Sequence, residues 1–258
     1  MTPSVFTVDL SGRKALVTGG SRGIGLSAAK FLVRAGCQVA IVYRRRQRDA
    51  RRATLEIEAI GGAGVAFRAD VSDEREARRA VAQAVARLGG LHILVNNAGI
   101  WPGGAVEEIS PSYWEEVFAI NARGTFLMTK FAVPIFKAQK FGRIVNVSST
   151  AGQRGEAYHS HYAATKGAVI SFTKSLAMEL GPYGITVNAV APGWVDTEMS
   201  QRVLADRRRR RAIEQEIPTR HVSTADDIGG VIAFLCSDYA RQINGEIVNI
   251  NGGSVLAG

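Results

Sequence analysis

Residues 14–25 have the sequence KALVTGGSRGIG. The first five form a short, mostly apolar run, which predicts a strand buried in a sheet. Glycines follow at once at positions 19, 23 and 25, and a helical pattern begins at Ile24. The chain therefore passes from a strand through a glycine-rich turn directly into a helix.

This turn supplies both space and hydrogen-bond donors. Glycine has no side chain, so a pyrophosphate can approach the backbone and the helix can pack closely on the strand. The unpaired N–H groups of the first helical turn would bind the phosphates. We therefore expect a dinucleotide coenzyme to contact Gly19, Ser21, Arg22, Gly23, Ile24 and Gly25.

Short apolar runs alternate with longer helical patterns along the rest of the chain. The predicted strands are Lys14–Thr18, Gln38–Tyr43, Val65–Arg68, His92–Asn96, Arg143–Ser148, Thr186–Val190 and Glu246–Ile250. The predicted helices are Ile24–Ala35, Gln47–Ile60, Asp73–Leu88, Pro111–Gln139, Tyr162–Leu180 and Ala225–Ser237. This alternation predicts an α/β fold: one doubly wound (Rossmann) domain over residues 1–258, whose seven-stranded parallel sheet carries helices on both faces.

The segment of about residues 195–219 does not follow the alternation. It is long and charged, and Pro192-Gly193 and Pro218 bound it. Open α/β sheets bind ligands outside the carboxyl ends of their strands. Because the segment follows such an end, we predict a lid over the substrate site; an irregular pair of surface helices is the alternative.

The net charge of +9 comes from two local runs of arginine. Six arginines lie in residues 44–52 and five in Arg207–Arg211, and without these eleven the formal charge would be −2. Two separate runs do not make a continuous basic groove, and no nucleic-acid-binding module accompanies them. We expect no nucleic-acid partner.

Several other classes of protein are disfavoured by what the sequence lacks. Residues Met1 to Leu10 show no signal peptide, and no apolar stretch approaches the 18 residues of a membrane span. Cys37 and Cys236 form no C-x-x-C pair, so neither a metal site nor a disulfide framework is indicated. These features predict a cytoplasmic protein with two reduced, buried thiols, without a metal and without membrane association.

The end of the second predicted strand bears on the choice of coenzyme. An acidic residue there would bind the ribose 2′-hydroxyl of NAD. The strand instead ends in Tyr43-Arg44. Arg44, together with Arg22 of the glycine turn, can pair with a 2′-phosphate. The sequence therefore favours NADPH over NADH.

Tyr162 and Lys166 are four residues apart in a helical pattern, so they lie on the same face of a helix. A free tyrosine keeps its proton to about pH 10. A fixed cation beside the phenol would lower its pKa, and the phenol could then donate a proton to a carbonyl oxygen near neutral pH.

Five motifs together resemble the short-chain dehydrogenase/reductase family. They are the glycine turn, residues 96–99 (Asn-Asn-Ala-Gly), Ser148-Ser149, Tyr162-x-x-x-Lys166 and Pro192-Gly193 after the sixth predicted strand. The resemblance spans about Leu10 to Gly253. Within the family the chain is most similar to 3-oxoacyl-acyl-carrier-protein reductases, through residues 96–99, residues 183–188 and the closing Asn251-Gly252-Gly253.

The resemblance implies a catalytic tetrad. Tyr162 would donate the proton while NADPH delivers hydride to the carbonyl carbon, and Lys166 would lower the tyrosine pKa and bind the nicotinamide ribose. Ser149, thirteen residues before the tyrosine, would orient the substrate oxygen. Asn121 would hold a water in a proton relay to the lysine.

The resemblance also implies coenzyme contacts beyond the glycine turn. Asp70 and Val71 would form the adenine pocket, although Asp70 could instead be a helix N-cap. Asn97, Ala98 and Gly99 would line the adenosine ribose and stabilise the sheet, with a turn role as the alternative for Asn97. Further coenzyme contacts are assigned to Pro192, Gly193, Val195 and Thr197, of which Val195 and Thr197 would meet the nicotinamide carboxamide, and to the catalytic Tyr162 and Lys166.

Four aromatic residues lie close to these motifs. Trp101 and Trp194 follow predicted strand ends, where they would line the substrate pocket. His159 and His161 flank the tyrosine at positions that do not form a relay with it, so we expect them in the pocket wall or at the surface.

The implied reaction is NADPH-dependent reduction of a 3-oxoacyl thioester on acyl carrier protein, as in fatty acid biosynthesis. Lys140 and Arg207–Arg211 could contact an acidic carrier, although surface solubility explains this charge equally well. Reduction of a free ketone, sugar, quinone or polyketide intermediate is the alternative, and a coenzyme sensor without turnover is a third.

The two longest predicted helices carry more apolar residues than one sheet face needs, which is typical of a helix that meets a partner. These residues are Phe118, Phe126, Met128, Phe131 and Phe136 on the first helix, and Ala168, Phe172 and Leu176 on the second. Similar family members pair through these two helices and near the carboxyl terminus, where this chain has the uncharged tail Gly252–Gly258. We therefore expect a homotetramer.

Overall fold

Seven strands form one parallel sheet in the computed structural model of the chain, which describes residues 7–257. They are β1 (Lys14–Thr18), β2 (Gln38–Tyr43), β3 (Val65–Arg68), β4 (Ile93–Asn96), β5 (Gly142–Val147), β6 (Ile185–Pro192) and β7 (Ile247–Ile250). Their order across the sheet is β3-β2-β1-β4-β5-β6-β7. This confirms the predicted doubly wound sheet. Met1–Phe6, part of the segment considered for a signal peptide, and Gly258 of the carboxyl tail lie outside the described residues.

Ten α-helices connect the strands or flank them in the described part of the chain. They are α1 (Gly23–Arg34), α2 (Gln47–Glu58), α3 (Glu74–Leu88), α4 (Pro111–Phe118), α5 (Gly124–Gln139), α6 (Thr150–Arg154), α7 (Ser160–Leu180), α8 (Gln201–Leu204), α9 (Arg207–Glu216) and α10 (Ala225–Cys236). Side chains of α1, α2 and α10 pack on one face of the sheet, and side chains of α3, α5 and α7 pack on the other. Helices on both faces explain why the strands are apolar without alternation.

The core is made of two apolar layers, one on each face of the sheet. Leu32 and Ile232 belong to the first layer, and Met128 and Leu180 to the second; all four are essentially inaccessible to solvent. Both cysteines lie buried, as predicted. Burial raises the pKa of the Cys37 thiol to about 12, so this thiol is protonated and unreactive at neutral pH.

Buried amides also tie the sheet to the helices on its second face. Asn96 Nδ2 at the end of β4 donates to Asn146 Oδ1 of β5 (2.9 Å) and to Thr129 Oγ1 of α5 (3.0 Å). Asn146 Nδ2 in turn donates to Thr173 Oγ1 of α7 (2.9 Å). Because unpaired buried amides are costly, these bonds fix how α5 and α7 sit on the sheet.

The prediction of one continuous helix over Pro111–Gln139 is wrong. A π-helical turn, Ala119–Arg123, separates α4 from α5. At this turn Asn121 accepts a hydrogen bond from the Ile100 N–H (2.8 Å) and donates one to the Ile100 carbonyl (2.9 Å). A tertiary contact with a loop is associated with the widened turn, and hydrophobic periodicity does not detect such a contact.

The other differences between the predicted and the observed elements are smaller. Helix α6 was not predicted, because it is only five residues long. Helices α8 and α9 correspond to the pair of surface helices that was the alternative for residues 195–219. The remaining boundaries agree to within two residues, the range over which element ends are uncertain. Among residues 7–257, no helix is long and apolar enough to cross a membrane.

Candidate active site

Two adjoining cavities open at the carboxyl ends of β1, β4, β5 and β6. The first, of about 290 Å³, is lined by Ser149, Tyr162 and Lys166. The second, of about 430 Å³, is lined by the glycine turn, Arg44 and Asp70. Both include Asn97, Gly99 and Thr197 in their walls. The geometry therefore suits a long ligand in the second cavity whose one end reaches into the first.

Tyr162 and Lys166 lie in the first two turns of α7, and both are buried. Lys166 Nζ donates to the Val147 carbonyl at the end of β5 (2.7 Å) and lies 5.7 Å from the centroid of the Tyr162 ring. The helical spacing thus places the ammonium and the phenol side by side, as the sequence predicts.

The electrostatics of the pair differ from the expectation that the lysine lowers the phenol pKa. Burial raises the pKa of Tyr162 to about 12, although a hydrogen bond with Ser149 opposes the rise. Burial also lowers the pKa of Lys166 to about 8. Loss of water disfavours both the phenolate and the ammonium, and desolvation is the largest cause of both pKa shifts.

Ser149 is the N-cap residue of α6, and its Oγ accepts a hydrogen bond from the Ala151 N–H (3.1 Å). Its hydroxyl also hydrogen-bonds with the phenol of Tyr162. Ser148 instead donates to the Lys166 carbonyl (2.9 Å), a contact that joins β5 to α7. The structure thus places Ser149, rather than Ser148, beside the phenol.

Asn121 is fully buried, and its amide is held by Ile100 and by Thr165 Oγ1 (3.2 Å). A β-carbon added to Gly99 would lie 3.2 Å from Asn121 Oδ1 and 3.7 Å from Lys166 Nζ. The four members of the predicted tetrad are therefore close together, with Gly99 leaving the space between Asn121 and Lys166. The water relay assigned to Asn121 stays a prediction.

The glycine turn has the geometry expected of a phosphate cradle. Gly19 and Gly23 have positive φ angles of 64° and 52°, which side chains rarely adopt. A β-carbon on Gly25 would overlap the Gly19 carbonyl oxygen and would lie 2.5 Å from Asn97 Nδ2. The turn thus requires glycine for its own backbone and for its packing against the end of β4. Ser21, Arg22 and Ile24 line the second cavity together with these glycines.

The residues predicted to choose the coenzyme lie together in this cavity. Arg44 Nε is 2.7 Å from Asp70 Oδ2. Arg22 lies at the edge of the same cavity; its Nη1 is buried, lies 4.0 Å from Asp49 Oδ2, and makes no hydrogen bond among the described residues. Because a buried guanidinium nitrogen without an acceptor is costly, this atom fits an anionic ligand group that would complete its bonding.

Asp70 is not a helix N-cap, since Asp73 caps α3 by accepting from the Glu76 N–H (2.8 Å). Asp70 accepts from the N–H and hydroxyl of Ser72 (3.0 and 2.6 Å). Burial by itself would raise the pKa of Asp70, but the bonds from Ser72 and the charge of Arg44 lower it overall. The carboxylate is therefore ionised and lies, with Val71, beside the glycine turn.

Asn97 joins two neighbouring strands of the sheet. Its main hydrogen-bond partner, Thr18, was not predicted. Thr18 Oγ1 accepts from the N–H groups of Asn97 (2.9 Å) and Ala98 (3.0 Å). Asn97 Nδ2 donates to the carbonyls of Thr18 (2.9 Å) and Gly19 (3.2 Å). These bonds join the end of β4 to the start of the glycine turn. The strand pattern hides this role of Thr18, because threonine is common in strands.

Two tryptophans line the first cavity, as the sequence predicts. The rings of Trp101 and Trp194 meet edge to face, with centroids 5.5 Å apart. His159 stacks on Trp101 at 4.5 Å, and Trp101 Nε1 donates to Glu156 (3.2 Å). His161 is fully buried against Tyr113 rather than in the pocket wall or at the surface, so that prediction is wrong. Glu156 and Arg154 also line this cavity and were not predicted.

The segment of residues 195–219 contains α8 and α9 and covers one side of the first cavity. Its contribution to the cavity wall consists of Val195, Thr197, Met199, Ser200, Ile213, Glu216 and Ile217. Pro192 and Gly193, at the end of β6, line the same cavity. Leu204, Ile213 and Ile217 form a small separate core with Val222, against which Trp194 packs. We call residues 195–219 the lid segment; that they act as a lid over the substrate site stays a prediction.

Within residues 7–257, no group of three or more histidine, cysteine, aspartate or glutamate side chains is placed to hold a metal ion. The polar groups of the cavities are instead a phenol, a lysine and hydroxyls, together with arginines at the far end.

Similarity to known proteins agrees with this geometry. The family model described as enoyl-(acyl carrier protein) reductase matches residues 19–254. A 3-oxoacyl-(acyl-carrier-protein) reductase of Staphylococcus aureus is 39% identical over 244 residues, which cover 95% of this chain and 98% of the relative. Nodulation protein G of Azospirillum brasilense is 37% identical, with the same coverage. The crystal structure of a dehydrogenase/reductase from Sinorhizobium meliloti superposes with a TM-score of 0.89 at 37% identity, covering 97% of this chain and 98% of that one.

The pKa of Lys166, about 8, predicts how reduction depends on pH. The ammonium is charged below this pH and can stabilise negative charge that develops on a carbonyl oxygen. Above it, kcat/KM should fall about tenfold per pH unit. Tyr162 stays protonated to about pH 12, so it contributes no fall in this range. The measurement is kcat/KM with the coenzyme as varied substrate, which reports the free enzyme, between about pH 6 and 10.

Lys166→Arg is the control, because a guanidinium stays charged throughout this range. Its activity should be lower overall but should not fall near pH 8. A flat wild-type profile, or an equal fall in the arginine variant, would contradict the assignment to Lys166.

Proposed function

The chain belongs to the short-chain dehydrogenase/reductase family, a family of oxidoreductases acting on CH–OH and C=O groups, and from this premise we propose that it is an NADPH-dependent ketone reductase. The best candidate substrate is a 3-oxoacyl thioester carried by an acyl carrier protein. The observation that carries the proposal is the burial of Ser149, Tyr162 and Lys166 together in one cavity that adjoins the glycine turn.

The proposed chemistry needs a proton donor, an oxygen-binding group and a hydride donor. The bound NADPH would supply the hydride. Tyr162, protonated at neutral pH, donates its proton to the carbonyl oxygen as negative charge develops there. Ser149 donates a hydrogen bond to the same oxygen, and Lys166 holds positive charge nearby. Asn121, held by Ile100 and Thr165, would hold a water in a proton relay to Lys166.

We propose that the coenzyme binds in the second cavity. The glycine turn and the start of α1 would hold the pyrophosphate, while Asp70, Val71, Asn97 and Ala98 would surround the adenosine. Arg22 and Arg44 would bind the 2′-phosphate. The feature that favours this phosphate most directly is Arg22 Nη1, a buried donor that makes no hydrogen bond in the described part of the chain and has only the 4.0 Å ion pair with Asp49.

The substrate assignment rests on the Staphylococcus aureus relative, whose name states 3-oxoacyl-(acyl-carrier-protein) reduction. The apolar wall formed by Met199, Ile213 and Ile217 suits an acyl chain. The second candidate is an aromatic ketone or a quinone, and the edge-to-face pair Trp101–Trp194 favours it. A screen of acetoacetyl thioesters against aryl ketones, followed by NADPH absorbance, distinguishes the two.

We also propose a homotetramer, although the structure changes the residues that support it. Met128 and Phe136 belong to the core. Phe126 of α5 is 44% exposed and contacts Phe172 of α7, and Met178 of α7 is 83% exposed. Leu256 in the carboxyl tail is 91% exposed. These outward apolar groups suit two contacts between copies of the chain.

Tyr162→Phe tests the proton transfer. Loss of the hydroxyl should lower kcat for ketone reduction by about 10² to 10⁴, while the dissociation constant for NADPH changes less than about threefold, because the ring still packs. Tyr158→Phe is the matched control, since Tyr158 is exposed and lines neither cavity. Wild-type turnover in Tyr162→Phe would remove the phenol from the mechanism.

Arg44→Asp tests the coenzyme. NADPH affinity should fall roughly ten- to a hundredfold, since one charge-assisted bond contributes about 1.5–3 kcal/mol, and preference should move toward NADH. Arg44→Ala separates loss of the phosphate contact from repulsion of the phosphate by the introduced carboxylate, and Arg48→Asp, at an exposed position of α2, is the control. If NADPH affinity is unchanged in both Arg44 variants, the phosphate is bound elsewhere, and Arg22→Ala is the next variant.

Light scattering at micromolar concentration tests the assembly. A tetramer should have the mass of four chains of 27.6 kDa, and Phe126→Asp should dissociate it into dimers or single chains by placing a charge on the α5–α7 face. Glu115→Lys, an exposed change on α4, is the control for charge alone. A single-chain mass for the wild type would rule the tetramer out.

A further inference from the structure

Three arginines project from one face of α9. Arg207, Arg208 and Arg211 are exposed, and their spacing places them on one side of the helix. The opposite side carries Ile213, which is buried in the small core of the lid segment and is followed there by Ile217 at the end of the helix. We call Arg207, Arg208 and Arg211 the α9 arginine patch.

The orientation of α9 is fixed by other residues. Asp206 caps the helix by accepting from the N–H groups of Arg208 (2.8 Å) and Arg209 (3.2 Å). Arg210 pairs with Asp196 (2.7 Å) and Glu214 (3.0 Å), which ties α9 to the residues that follow β6. Within the described part of the chain, the patch arginines enter no ion pair. Their guanidinium groups are therefore available to a partner.

The patch does not help α9 to fold. Cations near a helix N-terminus oppose the helix dipole, and like charges four residues apart repel each other. Apart from the N-cap Asp206, the first turn of α9 contains no acidic residue to offset them, and Arg207 and Arg211 are four apart. A cluster of like charges that weakens its own helix has no structural benefit for that helix. It therefore indicates binding of an anionic partner.

The patch lies close to the substrate cavity but outside it. Ile213 and Glu216, on the inner side of α9, line the cavity, and no patch residue does so among the residues that the structure describes. A partner on the outer side is thus about one helix diameter, roughly 10 Å, from the cavity. A flexible arm could cover this distance.

The shape and charge of the surface indicate the kind of partner. Residues 201–221 contain seven arginines and three acidic residues, an excess of four positive charges. Small anions bind in concave sites, whereas this patch is on the convex, exposed side of a helix. An acidic protein surface, which offers several carboxylates at once, complements it better.

We infer that the α9 arginine patch is the docking surface for an acidic carrier protein, which presents the 3-oxoacyl chain as a thioester on a flexible arm to the cavity on the other side of α9. The inference rests on the proposed function, because the thioester is the proposed substrate. It adds the surface that recognises the carrier and assigns this role to the outer face of the lid segment.

The test compares carrier-bound and free forms of one substrate in a charge-reversed enzyme. The variant Arg207→Glu/Arg208→Glu/Arg211→Glu is assayed with acetoacetyl-acyl carrier protein, with acetoacetyl-coenzyme A and with the N-acetylcysteamine thioester. The matched control is Arg75→Glu/Arg79→Glu/Arg87→Glu, which makes the same charge change at exposed positions of α3, away from both cavities. Circular dichroism of each variant checks the fold.

The patch variant should lose at least about tenfold in kcat/KM for the carrier-bound substrate at low ionic strength, and the loss should shrink as salt rises. Its kcat/KM for the N-acetylcysteamine thioester should stay within about twofold of wild type. The control should keep both values. Fluorescence anisotropy of the labelled carrier should show the same loss of binding without any turnover.

Other outcomes overturn the inference. Equal losses in the patch and control variants would mean that only net charge matters, and an unchanged value with the carrier would place docking elsewhere. An equal loss with the coenzyme A thioester would assign the patch to small phosphate-bearing ligands. If the wild type binds the carrier but reduces none of the thioesters, the proposed function fails while docking stands.

Discussion

The hydrogen bonds between the ends of β1 and β4 are the constraint on which the site depends. β1 and β4 are neighbours in the sheet, and the chain leaves them toward opposite sides, which opens the crevice where such folds bind ligands. Thr18 and Asn97 join the two strand ends at this crevice, because their side chains hydrogen-bond to backbone groups of the opposite strand. They fix the Gly19 carbonyl on one side and, on the other, the backbone that continues to Gly99. Both cavities are lined by residues that these bonds position.

A second layer of buried polar contacts transmits this geometry to the helices. Asn96, Asn146 and Thr173 form a chain of hydrogen bonds from β4 through β5 to α7. Ser148 and Lys166 add two more contacts between β5 and α7. The helix that carries the phenol and the lysine is thus held to the sheet by directional bonds rather than by apolar packing alone. Such bonds specify one arrangement of the helix, which apolar packing does less strictly.

Burial of Tyr162 and Lys166 disfavours the charged form of each side chain, and this affects the proposed chemistry of the site. Removing water from Tyr162 raises its pKa, and removing water from Lys166 lowers the lysine pKa. The phenol therefore remains a proton donor over the whole neutral range, while the charge on the lysine becomes sensitive to pH. The lid segment adds to this environment, because its apolar residues line the cavity. The same segment turns its arginines outward, so its two sides face different surroundings.

The sequence by itself determined the order of strands and helices, the glycine turn and the helical pair Tyr162–Lys166. These are local properties, since apolar periodicity, the need for glycine and a spacing of four residues each depend on a few neighbouring positions. The sequence did not reveal the π-helical turn at Asn121, the role of Thr18, the buried position of His161 or the raised phenol pKa. Each of these depends on groups far away in the chain, namely Ile100, Asn97, Tyr113 and the residues that exclude water from the cavity. Only the tertiary structure decided them, because hydrogen bonding and desolvation arise from which distant residues meet in space.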